Sequence, residues 1–129
     1  TEMRPNLISE VRNARTLETI EKPRPREYSR PISKDTARQL SDMMVDVVDK
    51  GTGTAAQISG VKVAGKTGTA QHAQGAAPHA WFTGFAPADD PQVAVAVVVE
   101  SGGNAGNQAS GGRVAGPIAK KVMEAVVNE

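Results

Sequence analysis

The sequence contains no cysteine. That absence excludes disulfides, thiolate metal ligands and a cysteine nucleophile, and it fits either redox compartment. Aromatic residues are almost as scarce, with one Trp, one Tyr and two Phe among 129 residues. Alanine, valine and isoleucine must therefore supply most of any core. Small side chains bury little area each, so the segment is expected to lean on a partner segment for stability. Long apolar runs are missing too. The longest, Val93 to Val99, has seven residues, against the ~20 that a membrane helix needs. No signal-peptide pattern is visible, and Thr1 to Pro5 reads as mid-protein sequence. Charge of one sign is also lacking. Fifteen basic and 14 acidic side chains leave a net +1, which gives no electrostatic reason to expect nucleic acid or an anionic membrane as partner.

What is present describes a globular chain. Hydrophobic residues make up 39% and charged residues 22%, a balance that argues against disorder. The basic cluster Arg24, Arg26 and Arg30 sits among prolines with Tyr28 as its one aromatic neighbour, and reads as a solvated loop or hairpin. Asn6 to Asn13 fits a strand or a short helix. Leu17 to Ile20 and Tyr28 to Ile32 are expected to form a loose hairpin around Lys22 to Arg26.

Ser33 to Lys50 is the clearest helix. Ser33 is a suitable N-cap, Asp35 lies where the helix dipole favours an anion, and Gly51 is a natural stop. Ala37, Leu40, Met43, Met44, Val47 and Val48 follow helical spacing and are expected to face a core. Gly51 to Gly60 is a small-residue loop. Phosphate binding fails there because the glycines follow a helix instead of opening one. Three strands come next, at Val61 to Gln71, Trp81 to Ala86 and Gln92 to Glu100, with Asp89-Asp90-Pro91 as a turn between the last two. Val93 to Val99 is apolar on both faces, which predicts an interior strand covered on two sides. Connections this short imply antiparallel neighbours. Ser101 to Gly112 is expected to be a mobile loop. Val114 to Val127 reads as a last helix that tolerates Pro117 only in its first turn, with Ile118, Val122, Ala125 and Val126 as its buried stripe. The fold class is α+β, an antiparallel sheet flanked by helices.

The chemistry lies in Val63-Ala64-Gly65-Lys66-Thr67-Gly68-Thr69-Ala70-Gln71. On a strand, Lys66 and Gly68 face one way while Thr67 and Thr69 face the other. Two hydroxyls at that spacing can jointly hold a small carboxylate. Gly68 lets a substrate or another backbone approach closely. A lysine beside them attracts the carboxylate and can stabilise a deprotonated nucleophile. A bare Lys-Thr-Gly triplet would equally suit a solvent-exposed strand edge.

The setting of the triplet separates these readings. Gly65 to Gln71, the strand Trp81 to Pro87, the Gly-Gly loop leading to Ala-Gly-Pro-Ile, and the upstream helix ending Val-Val-Asp-Lys-Gly-Thr-Gly together resemble the end of a class B penicillin-binding protein transpeptidase domain. The resemblance covers nearly the whole chain. It implies that residues 1–129 are the C-terminal part of a single transpeptidase domain of the penicillin-binding-protein/β-lactamase-like fold, and that the activity is serine D,D-transpeptidation of peptidoglycan stem peptides through an acyl-enzyme. Lys66 would tune proton transfer. Thr67, Gly68 and Thr69 would bind substrate, the two hydroxyls holding the carboxylate of D-Ala-D-Ala or of a β-lactam. The Thr69 N–H would be one of two oxyanion donors, and the strand would pair with the extended acyl donor. No metal or organic cofactor is implied. Partners would be stem peptides, β-lactams, the N-terminal part of the same domain and cell-division proteins, at the extracytoplasmic face of the bacterial plasma membrane under an N-terminal anchor outside this chain. A serine β-lactamase or D,D-carboxypeptidase shares the lysine strand, although the Gly-Thr-Ala-Gln continuation favours the class B transpeptidases. A non-enzymatic β-lactam sensor is the reading from another class.

The family's serine nucleophile, in Ser-x-x-Lys, is expected outside this chain, and no Ser-x-Asn occurs here. Ser59-Gly60-Val61-Lys62 matches the first pattern formally. It lies at a loop-to-strand junction, whereas the motif needs a helix to bring positions three apart together. His72 and His79 lack a third ligand and rigid spacing, and are read as surface loop residues. Trp81 and Phe82 are expected to pack one on each face of the sheet. Without its upstream part, the chain is expected to expose an apolar strand edge and a bare sheet face.

Overall fold

The computed structural model describes residues 1–128. Two compact units divide the chain, Thr1–Ala37 and Arg38–Glu129.

The first unit is a nested pair of short antiparallel ladders. β1 (Glu2–Met3) pairs with β4 (Glu27–Ser29), and β2 (Val11–Arg12) pairs with β3 (Thr19–Glu21). The expected hairpin between Leu17 to Ile20 and Tyr28 to Ile32 does not form, because each segment pairs with a strand nearer the N-terminus. Short-range ion pairs form along the individual segments. Arg12 bridges Glu10 at 2.7 Å and Arg30 bridges Glu27 at 2.9 Å. These guanidinium groups hold both carboxyls below the usual carboxylate range, the Thr19 hydroxyl assisting at Glu10. The Arg4 guanidinium lies 5.5 Å from the centre of the Tyr28 ring.

The helix α1 (Lys34–Asp49) begins where the sequence predicts it. The Ser33 hydroxyl accepts the Thr36 N–H at 3.0 Å, which satisfies one of the orphan donors of the first turn. The far end is closed by a side chain. Gln57 Nε2 donates to the last carbonyls, Val48 at 3.0 Å and Asp49 at 2.9 Å. The expected core stripe is only partly buried: Val48 is inside, whereas Leu40 and Met43 stand in solvent.

In the second unit β5 (Ala64–Ala70), β6 (His79–Ala86) and β7 (Val93–Val99) form an antiparallel sheet in the order β5-β6-β7. The register sets Thr67 opposite Phe82, Gly68 opposite Trp81 and Phe82 opposite Val97. Strand alternation then sends Phe82 into the core at 1% exposure and Trp81 out at 45%, as expected. The β6–β7 turn is closed by Gln92 N–H donating to the Ala86 carbonyl at 3.0 Å. β7 differs from the expectation of a strand covered on two sides. Val93, Val95, Val97 and Val99 are half-buried, Ala94, Ala96 and Val98 are exposed, and β6 is its one neighbour among the described residues. The expected bare sheet face and open apolar edge are therefore present.

Of Ser101 to Gly112, expected to be a mobile loop, residues 101–110 follow an irregular path with positive φ at Ser101, Gly102, Gly103 and Gly106, whereas Gly111 and Gly112 are helical. A π-helical turn (Gly111–Ala115) then leads into α2 (Gly116–Val127), with Pro117 in its first turn. The buried stripe of α2 is not the expected Ile118, Val122, Ala125 and Val126. It is Ala119 and Met123, continued upstream by Ala115 of the π-turn, all at 0% exposure. Small side chains let the helix lie close to the sheet, which turns the larger aliphatics outward. Ala115, Ala119 and Met123 meet Val48, Ala56, Ile58, Val63, Phe82 and Ala86 in one core. No helix among the described residues is long and apolar enough to cross a membrane.

Two outcomes follow for stability. Met123→Ala should lower unfolding free energy by about 2–5 kcal/mol through lost burial and a cavity, whereas Val122→Ala on the outer face should change it by about 0.5 kcal/mol or less; urea melts of the two variants check the assignment of the buried stripe. Gly65 faces the Phe82 ring so closely that a Cβ there would lie 2.4 Å from its Cζ. Gly65→Ala should therefore destabilise by about 1–3 kcal/mol, read in the same melts.

Candidate active site

β5 has β6 on one side only among the described residues. Alternate backbone groups of Lys66 to Ala70 therefore face away from the sheet. The Thr67 carbonyl is one of them, since it accepts the Lys66 ammonium at 2.6 Å. At a period of two, the Thr69 N–H and carbonyl share that open edge. Lys66 and Thr69 are exposed, while Thr67 and Gly68 are half-buried. Lys66, Thr67, Gly68 and Thr69 thus stand together on a free strand edge, a polar cluster whose backbone can accept another strand.

Two segments distant in sequence close on this edge. The turn after α1 brings Thr52 to Thr67, their hydroxyl oxygens 2.7 Å apart. That turn is fixed by the Gly53 N–H, which donates to the Val47 carbonyl at 2.9 Å. From the other end of the chain, Gly111 lies against the Gly68–Trp81 pair. A Cβ on Gly111 would sit 2.0 Å from the Trp81 carbonyl oxygen and 2.8 Å from the Gly68 nitrogen, so only glycine fits. Gly112 is equally tight against the Thr52 carbonyl. The Ser110 hydroxyl caps the π-turn that holds both glycines by accepting the Arg113 N–H.

Neither Thr52 nor the Gly111–Gly112 pair has a site role legible in the sequence. Gly51 to Gly60 looked like a plain loop and Ser101 to Gly112 like a mobile one. The signal was the density of small residues in both, which marks close backbone approach as well as flexibility.

The other candidates fall outside the cluster. Ser59 lies on a turn and Lys62 is paired with Asp89 at 3.0 Å, whose carboxylate raises the lysine pKa above its usual value. The helical geometry of a Ser-x-x-Lys pair is absent there. His72 and His79 stack with ring centres 4.0 Å apart, and His79 Nδ1 accepts the Ser101 N–H at 2.9 Å. No group of three or more metal-binding side chains exists among the described residues.

Comparison with known proteins bears on the whole chain. The family described as "Penicillin binding protein transpeptidase domain" matches residues 1–124. The peptidoglycan D,D-transpeptidase PbpA of Mycolicibacterium smegmatis is 41% identical over 130 residues, spanning 98% of this chain and 26% of the relative. Stage V sporulation protein D of Bacillus subtilis is 39% identical over 84% of this chain and 17% of its own length. Among solved structures, the ceftriaxone acyl-enzyme complex of penicillin-binding protein A from M. tuberculosis superposes with a TM-score of 0.89 at 38% identity, covering 97% of this chain and 28% of that one. The chain spans about a quarter of the length of the PbpA relatives it matches. It belongs to the penicillin-binding protein transpeptidase domain family.

Proposed function

We propose that this chain supplies the substrate-clamping edge of a serine D,D-transpeptidase that cross-links peptidoglycan stem peptides. The observation that carries the reading is the free edge of β5. A cationic ammonium, two threonine hydroxyls and outward-facing backbone groups occur there within four consecutive residues. An extended peptide ending in a carboxylate matches each of these features. The backbone adds to the open edge, and Thr67 and Thr69 donate to the carboxylate. Lys66 supplies positive charge near the reacting centre.

The chemistry divides between this chain and a serine outside it. The serine oxygen attacks the carbonyl of the penultimate D-Ala, and the Thr69 N–H stabilises the oxyanion that develops. The C–N bond to the terminal D-Ala breaks, and that amine leaves with a proton. Lys66 favours the transfer by holding its charge close to the proton-carrying group. The amine of a second stem peptide then attacks the acyl-enzyme ester and releases the serine. A β-lactam enters the same cycle, but its opened ring keeps the amine tethered. Neither metal nor organic cofactor takes part.

On this reading the bare face and edge of β7 and the outer stripe of α2, with Ile118, Val122 and Val126 exposed, are covered by the remainder of the transpeptidase domain. The protein would act at the extracytoplasmic face of the plasma membrane, with cell-division proteins as partners.

The test is acylation of the full-length parent protein by a fluorescent penicillin, paired with a stem-peptide cross-linking assay. Lys66→Ala should slow acylation by about 10²-fold or more, and Ser59→Ala should leave it unchanged. Cross-linked product should form with the wild type. Acylation without any cross-linking would make the protein a β-lactam sensor, and rapid penicillin hydrolysis would make it a β-lactamase. Unchanged labelling of Lys66→Ala would remove the catalytic reading.

A further inference from the structure

The hydroxyl contact between Thr52 and Thr67 has a directional consequence. A threonine hydroxyl carries one proton and two acceptor lone pairs, whereas a carboxylate only accepts. At an oxygen separation of 2.7 Å, one of the two hydroxyls donates to the other. If Thr67 spends its proton on Thr52, it has none for a carboxylate. If Thr52 donates, the Thr67 lone pair is satisfied and its own proton is free to point outward.

The surroundings of the pair favour a fixed geometry. Thr67 is β-branched, so its hydroxyl and methyl occupy defined staggered positions. The methyl lies beside Gly112, 3.6 Å from where a Cβ on that glycine would stand, and the hydroxyl branch turns to Thr52. Thr52 is itself held from both sides. The Gly53 N–H to Val47 bond anchors the turn to the end of α1, and the Gly112 backbone packs against the Thr52 carbonyl. Three sequence-distant segments therefore set one side-chain rotamer.

We infer that Thr52 is a positioning residue for carboxylate recognition: its hydroxyl donates to Thr67 and thereby aims the single Thr67 proton at the carboxylate of the acyl donor. The inference rests on the carboxylate-clamp reading of Thr67 proposed above. Bound ligand completes a chain of two hydroxyl donors ending on an anion, in which each bond polarises the next. Thr52 does not touch the substrate. Its contribution is to organise Thr67 before the ligand arrives.

The test uses the full-length parent protein and compares acylation by benzylpenicillin with acylation by its methyl ester, which lacks the anionic carboxylate. Thr52→Val removes the hydroxyl with little change in shape. It should weaken the second-order acylation constant for benzylpenicillin by about five- to thirtyfold, through the binding step, with the ester far less affected. Thr52→Ser should restore the rate to within about twofold. Thr52→Val combined with Thr67→Val should be no slower than Thr67→Val alone, because Thr52 acts only through Thr67. Thr52→Ala replaces the valine variant if valine impairs folding, as judged by the melting curve. Wild-type acylation in Thr52→Val beside an impaired Thr67→Val overturns the inference and leaves the clamp standing. Equal losses for acid and ester, or additive losses in the double variant, also overturn it. Unimpaired Thr67→Val removes the clamp itself, and the role of Thr52 falls with it.

Discussion

The pairing of β5 with β6 is the constraint on which the rest of the second unit depends. With Thr67 opposite Phe82, alternation decides every side chain at once. Phe82 enters the core, Gly65 and Gly84 leave room for its ring, and Lys66 stands on the opposite face. A slip of one residue would put Phe82 and Lys66 on the same face, so that either the ring is exposed or the lysine is buried. The aromatic ring is the largest buried side chain in a core otherwise made of alanine, valine, isoleucine and methionine. Its burial is worth about 1.5–3 kcal/mol. The same register that places it also presents the polar cluster at the edge.

That edge is built by close approach. Gly111 touches backbone at the Gly68–Trp81 pair and Gly112 touches the Thr52 carbonyl, so the start of α2 and the end of α1 converge on β5. A glycine pair is needed because side chains would hold these backbones apart. Preorganisation of a binding edge generally takes such supporting contacts, since a free hydroxyl on a mobile segment loses rotamer freedom on binding.

Much of this was legible in the sequence. The Ser33 cap, the three strands, the turn at Asp89-Asp90-Pro91 and the opposed faces of Lys66 and Thr67 follow from local rules of capping, alternation and turn chemistry. The failures have a common cause. In α2 the larger aliphatics Ile118, Val122 and Val126 form the most apolar stripe without being the buried one, because periodicity reports an apolar face without saying how near its neighbour lies. Ala115 and Ala119 win that position through their small size. In β7 the apolar residues on both faces predicted cover on two sides, and this chain supplies cover on one. Leu40 and Met43 of α1 tell the same story. The chain spans about a quarter of the length of its PbpA relatives, and on the proposed reading the complements of these surfaces belong to the remainder of the transpeptidase domain. Thr52 was invisible for a different reason: a contact between residues 15 apart, made through a turn, leaves no periodic trace.

On the proposed reading, β5 receives an extended, carboxylate-bearing acyl donor along its free edge. A crystal structure of the full-length protein acylated by a penicillin tests it most directly. The ligand carboxylate should lie within hydrogen-bond distance of the Thr67 and Thr69 hydroxyls, with the acyl oxygen facing the Thr69 N–H. A carboxylate held elsewhere, with both hydroxyls unoccupied and the β5 edge bare, would contradict it.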